Sequence, residues 1–434
     1  MARQMKDSGI EWIGEIPACW ELRPARYAFS EVKEKNTDGI ETRALQFKFG
    51  KIIAKTNFNA EDDDYVADTI TNYTIVEPGT VMINGLNLNY DFKTQRVALV
   101  AERGVITSAY LALRPDEQLI DAEYATYLFK GYESKMALHN MGAGIRLTLG
   151  FREFKNQPVL FPTLCEQRKI VAFLDRKGAE IDAVIERTKA TIEEYKKLKQ
   201  AVITEAVTKG VRGPRPMKDS GYDFIGAIPK EWEVCRLRSI GVPQNGISKG
   251  GEYFGQGFPF VSYGDVYKNY ALPTSVAGLV ESTDDERERY SVQCGDIFFT
   301  RTSETIEEVG FSSVCLQTIP DATFAGFLIR VRPFTDKLYP GYSKYYFRSS
   351  HHRAYLTKQM NLVTRASLGQ DLLKSMPVLL PSIEEQKEIA FYIDEKCAAL
   401  DNLIAKKTAL LTELETYKKS LIYEYVTGKK EVTD

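Results

Sequence analysis

Two long stretches carry the clearest hydrophobic pattern. After Pro162, apolar or aromatic side chains at Leu174, Ile181, Ile185, Ile192, Tyr195 and Val202 recur at three-, four- and seven-residue steps, with charged residues between them. That period predicts an amphipathic helix over 163–208. Thr163 and Glu166 supply a capping box at its start. Gly178 leaves open whether this is one helix or a short one followed by a long one. Unbroken, ~45 residues at ~1.5 Å each would span roughly 65–70 Å, and such a helix needs a partner along its stripe. The pattern returns over 382–427, where Ser382 and Glu385 form the box and Ile393, Leu400, Ile404, Leu411, Leu414 and Leu421 the stripe. Each helix is the natural partner of the other, antiparallel if a pseudo-twofold axis relates the half-chains. The alternative is that each packs on its own domain alone.

The remaining segments read as strands. Tyr73-Thr74-Ile75-Val76, Thr80-Val81-Met82-Ile83 and the run from Gly104 to Pro115 are rich in β-branched and aromatic residues and bounded by Gly, Pro and Asn. The expected class is α+β. Its parts are a strand-rich domain over 1–157, a long helix over 158–210, a Gly/Pro-rich linker over 211–216, a second strand-rich domain over 217–376 and a second long helix over 377–434.

The chain is written twice. Met5-Lys6-Asp7-Ser8-Gly9 returns as Met217-Lys218-Asp219-Ser220-Gly221, and the match runs on to Trp20-Glu21 and Trp232-Glu233 with eleven of seventeen positions identical. A second pair joins 158–208 to 377–427 with 19 of 51 positions identical. Between the pairs the likeness thins but persists: Arg114-Pro115 matches Arg332-Pro333, Tyr124, Tyr127 and Phe129 match Tyr342, Tyr345 and Phe347, and Arg146, Leu149 and Gly150 match Arg365, Leu368 and Gly369. Two inserts of one fold, differing mainly at the surface, are expected inside a duplicated frame.

Composition narrows the class. At 434 residues, two to four domains are expected. Hydrophobic content of 44% and charged content of 27% fit a soluble globular protein, and no apolar run approaches a membrane span. The first residues lack the apolar stretch of a secretory leader, and six scattered cysteines without C-x-x-C spacing point to a reducing, cytoplasmic setting rather than a zinc site. His351-His352 reads as solvated or phosphate-facing, with no metal expected. There is no Walker A motif, no H-E-x-x-H and no Asn-Pro-Pro-aromatic motif of an amino-methyltransferase. Gly246-Ile247-Ser248-Lys249-Gly250 has the form of a nucleophile elbow but lacks the strand before and helix after it. The runs Glu61-Asp62-Asp63-Asp64 and Asp284-Asp285-Glu286 read as solvated acidic loops.

A net charge of −2 does not by itself announce nucleic-acid binding, but local basicity does appear before each helix. Residues 344–374 hold six lysines and arginines against one acidic residue, and 122–155 hold five against three. Interleaved Tyr, Asn, Thr and Ser suit phosphate contacts combined with base contacts. The glycines from Asn245 to Gly251, extended by Gly255 and Gly257, would also allow close backbone approach to a phosphate.

With both repeats in view, nearly the whole chain resembles the specificity subunit of a Type I restriction–modification system. The resemblance rests on Met-Lys-Asp-Ser-Gly-x-x-x-Ile-Gly-x-Ile-Pro-x-x-Trp-Glu opening each half, and on Pro-x-x-x-Pro-[ST]-x-x-Glu-Gln-x-x-Ile opening each helix. Glu205-Ala206-Val207-Thr208-Lys209-Gly210 and Glu424-Tyr425-Val426-Thr427-Gly428 close them. It implies two target-recognition domains held by a coiled coil of two antiparallel helices, each domain reading half of a split sequence in double-stranded DNA. It implies a non-catalytic chain without a cofactor of its own. Two methyltransferase subunits would bring S-adenosylmethionine, and restriction subunits would bring ATP and Mg. Ile181, Ile185, Ile192, Leu400, Ile404 and Leu411 mark the helices on which partner subunits would dock. Arg146 with Thr148 and Arg365 with Ser367 are the expected DNA contacts, on phosphate because the two copies share them. Sequence-reading side chains are expected where the copies diverge, at Lys48 and Asn84 in one and Lys249, Lys268 and Arg301 in the other. A bivalent scaffold for protein or glycan partners is the rival reading.

Overall fold

Each strand-rich segment folds around a four-stranded antiparallel sheet. In the first, Leu111–Pro115 lies between Phe29–Glu31 and Val81–Ile83, and Val97–Leu99 forms the far edge. In the second, Leu328–Pro333 lies between Gly241–Asn245 and Ile297–Thr300, with Ser312–Val314 at the edge. Taken in chain order, both sheets run first, fourth, second, third. The period-two alternation decides what each face covers. Val81, Ile83 and Leu113 join the core beneath the helix Ala122–Ser134, while Met82 and Ala112 pack the opposite face against Leu45 and Val100. Ile297, Phe299 and Val331 share a core with Tyr342 and Tyr346, whereas Phe298 and Leu328 face Phe260 and Phe324. Strands covered on both faces read as unbroken apolar runs, which is why these segments lack the alternation of a half-exposed sheet.

The structure is a computed structural model that describes residues 3–433, apart from 49, 56–69, 90–94, 143–146, 304–308 and 360–365. It divides into two units, Met1–Lys189 with Thr408–Asp434, and Ala190–Lys407. The inserts differ outside the shared sheet. The first adds a hairpin of Leu45–Lys48 and Lys51–Ala54. The second adds a three-stranded sheet in which Phe254–Val261 pairs with Leu279–Val280 and, in parallel, with Thr323–Phe324.

The long helices run Leu164–Lys209 and Ile383–Val426, the first without a break at Gly178. Within each unit, pieces of both helices lie antiparallel. Lys418 Nζ reaches Asp182 at 2.6 Å in the first unit, and Phe173 packs on Tyr425 with ring centroids 4.3 Å apart. In the second unit Lys199 Nζ reaches Asp401 at 2.7 Å. Leu174, Ile181, Ile185 and Ile192 are buried, as are Ile393, Leu400 and Leu421, and half-buried Leu411 and Leu414 pack on the first unit's core. Among the described residues no helix is long and apolar enough to cross a membrane.

Candidate nucleic-acid interface

The residues repeated between the copies hold the frame together. Lys6 Nζ donates to the Trp20 carbonyl at 2.7 Å, and Lys218 does the same to Trp232. Asp7 and Asp219 accept from the amides of Gly9 and Gly221 at 2.9 and 3.0 Å, in turns where the glycines have φ of 72° and 80°, a region that only glycine enters without strain. Each indole N–H then finds the glutamate of its helix cap: Trp20 Nε1 to Glu166 at 3.0 Å, Trp232 Nε1 to Glu385 at 3.1 Å. Arg3 and Arg215 stack over the two indoles and pair with the same two carboxylates. The adjoining glutamines are fully buried. Gln167 donates to the carbonyls of Pro162 and Leu119, and Gln386 to those of Pro381 and Lys337. The Glu-Gln dipeptide therefore ties each long helix to its domain.

The shared tyrosines do likewise. Tyr124 donates to the Leu160 and Val426 carbonyls and Tyr342 to those of Leu379 and Val207. Tyr127 and Tyr345 reach Asp175 and Asp394 at 2.6 and 2.5 Å. Burial and the neighbouring carboxylate push both phenols well above their ordinary pKa, so they stay protonated donors.

With the frame so occupied, the candidate contacts converge at the same place in each unit. The Leu149 amide donates to the Gly85 carbonyl at 2.9 Å, and the Leu368 amide to the Arg301 carbonyl at 2.7 Å. These bonds lay the segment before each long helix against the loop that leaves the second strand of the sheet. Exposed Thr148 and half-buried Asn84 each precede one partner of that bond in the first unit, and in the second exposed Ser367 pairs with Thr302, next to half-buried Arg301. Arg146 and Arg365 lie outside the described residues. In the first unit buried Arg96 shapes the loop by donating to the carbonyls of Asn84 and Leu86 at 2.9 and 2.7 Å. Glu133 accepts from the Arg96 amide, yet burial still raises its carboxyl to about 7.

Other expected contacts stand apart. Lys48 is exposed at the tip of the 45–54 hairpin. Lys268 is exposed at the end of the helix Tyr263–Lys268. Lys249 is held by Glu286 at 2.7 Å and lies over the Tyr253 ring. Ile181, Ile185, Ile192 and Leu400 are buried within this chain, and Ile404 and Leu411 are half-buried, so the outward surface of the helices is carried by other positions.

Several expectations change. The basic segment over 344–374 is largely spent inside the protein. Lys344 pairs with Asp394, Arg348 donates to the carbonyls of Tyr267 and Asn269 at 2.6 and 2.7 Å, and Arg353 donates to that of Val309. His351 and His352 are not solvated. They lie buried beside Ser349 and Tyr346, and desolvation lowers His351 to about 3 and holds His352 well below the ordinary imidazole value. Asp284-Asp285-Glu286 is the first turn of a short helix capped by Thr283, where carboxylates complement the helix dipole. The Glu61–Asp64 run lies outside the described residues. The glycine at 246 permits close packing of the protein on itself, since a Cβ there would sit 2.1 Å from the Phe324 carbonyl.

Two features of the second surface escape sequence reasoning. Phe327 is 66% exposed on the turn whose carbonyl accepts from the Arg301 amide. Gln370 Nε2 donates to Asn245 Oδ1 at 3.1 Å. The Gly326-Phe327 turn signal could have marked the first; nothing local marks a pair 125 residues apart.

Residues 229–416 match the Type I restriction modification DNA specificity domain. The chain is 25% identical to the type I restriction enzyme MjaVIII specificity subunit of Methanocaldococcus jannaschii, over 83% of this chain and 81% of that one. It is 26% identical to the EcoKI specificity subunit of Escherichia coli K12, over 73% and 67%. In fold it is similar to a chain from a structural study of complex assembly and conformational transition of the type I R-M system. That match has a TM-score of 0.71 at 16% identity and covers 96% of this chain and 99% of that one. The HsdS subunit from Thermoanaerobacter tengcongensis matches with a TM-score of 0.51 over 96% and 98%.

Proposed function

We propose that the chain is a type I restriction enzyme specificity subunit, like the proteins it is similar to, and that it reads a bipartite target in double-stranded DNA and directs methyltransferase and restriction subunits to it. The observation that carries this is a duplicated frame, held by equivalent bonds at Trp20–Glu166 and Trp232–Glu385, around two inserts whose exposed loops differ. A frame kept constant while the surface beside it varies suits one task performed on two different half-sites. Thr148 and Asn84 in one unit, and Ser367 and Arg301 in the other, lie on the surfaces that would meet DNA. Lys48, Lys249, Lys268, Arg146 and Arg365 are further proposed contacts. The chemistry would come from the partners: S-adenosylmethionine with two methyltransferase subunits, ATP and Mg with restriction subunits, in the cytoplasm. Mapping methylated adenines in a host with and without the gene should show one bipartite motif disappearing. No lost motif, or binding to duplexes that ignores added salt, would favour a bivalent scaffold for protein or glycan partners instead.

A further inference from the structure

We propose that Asn245 and Gln370 together read one adenine in the half-site taken by the second unit; this rests on the DNA-reading function above. The two amides come from the end of the strand Gly241–Asn245 and the start of the helix Gln370–Ser375. Both are half-exposed. They meet through one bond, Gln370 Nε2 to Asn245 Oδ1 at 3.1 Å. That bond fixes two mobile side chains and leaves the donor Nδ2 of Asn245 and the acceptor Oε1 of Gln370 for a ligand. The major-groove edge of adenine offers an acceptor at N7 beside a donor at N6, the complement of this set. Guanine offers two acceptors there and would leave Gln370 Oε1 facing another oxygen. The pair flanks the surface already assigned to DNA, since Gln370 follows Ser367 by three residues and Ser367 pairs with Thr302, next to Arg301.

The first unit lacks the pair. At the equivalent positions it has Phe151, which packs on the core, and Lys33, which pairs with Glu31 at 2.8 Å. Gly85, which accepts from Leu149 as Arg301 does from Leu368, likewise offers no side chain where the second unit has an arginine. Groups that select a base in one half-site should be absent from the copy that reads another.

The test uses the full chain and the bipartite duplex identified by methylome mapping, with each second-half adenine replaced in turn by 7-deazaadenine, which lacks the N7 acceptor. Wild type should lose roughly tenfold in affinity at one position. Asn245→Ala and Gln370→Ala should lose sensitivity at that position alone and keep discrimination in the first half-site. Asn245→Asp keeps the shape and the bond from Gln370 but exchanges a donor for an acceptor, so its preference there should move from adenine toward cytosine. Variants with wild-type sensitivity at every position, or with all positions weakened alike, would show a bond that merely rivets strand to helix and would overturn the proposal. A wild-type chain with no preference for the bipartite duplex would overturn the DNA-reading function, and this inference with it.

Discussion

Trp232 donates its indole N–H to Glu385 at 3.1 Å, and that carboxylate, 2% exposed, also takes the guanidinium of Arg215. The twin bond from Trp20 to Glu166 is wetter, with the carboxylate 26% exposed. Removing a buried partner strands two donors, whereas water replaces a half-exposed one. Glu385→Ala should therefore cost about 3 kcal/mol and Glu166→Ala about 1 kcal/mol in urea unfolding. Trp232 is the one tryptophan in residues 190–407, so fluorescence can follow the second unit directly. Equal losses would contradict the difference in burial.

Glu133 sets a pH dependence in the first unit. Burial raises its carboxyl to about 7, against about 4.3 in an unfolded chain. Between those values the folded form holds a proton that the unfolded form has released. Stability should therefore fall as pH rises through that window and level off above it, by on the order of 1–3 kcal/mol. Glu133→Gln should flatten this part of the profile for the unit containing Trp12 and Trp20.

The buried histidines act with the opposite sign in the second unit. Burial lowers His351 to about 3 and holds His352 well below its ordinary value when folded, against about 6.5 for each unfolded. Below pH ~6.5 the unfolded chain takes up protons that the folded one refuses. Stability present above that pH should be lost on acidification, by up to about 1.4 kcal/mol per pH unit for each ring. Replacing His351 with Asn should halve that slope in acid-unfolding curves read at Trp232.

Two lysines separate field from structure. Lys268 is exposed and makes no ion pair among the described residues, while Lys249 is held by Glu286. Lys268→Ala should weaken binding to every duplex alike and reduce the slope of log affinity against log salt by about one. Lys249→Ala should change that slope little, because its charge is already compensated. A reversed pair of slopes would make Lys249, rather than Lys268, the lysine that meets a phosphate.

Arg301 is expected to affect selection rather than overall grip. Arg301→Ala should relax base preference at one position of the second half-site by about 1–3 kcal/mol and leave the first half-site unchanged. Competition binding with single-base-pair variants measures both.

What the sequence determined by itself is whatever short-range physics controls. The 3.6-residue stripe from Leu174 onward, the Thr163/Glu166 and Ser382/Glu385 caps, the apolar runs at 80–83 and 104–115 and the repeated Trp-Glu frame were legible because each depends on neighbours a few residues away. Their length and order were enough to mark two copies of one design. Tertiary structure alone decided which charges remain available. Arg348 and Lys344 look like an open basic patch until Tyr267, Asn269 and Asp394 arrive from distant segments to accept their hydrogen bonds. The same holds for His351-His352, whose burial comes from contacts that no local pattern encodes. The meeting of Arg301 with Leu368, and of Asn245 with Gln370, depends on chain closure over many tens of residues. A periodic pattern records which face turns inward; it does not record what the outward face meets.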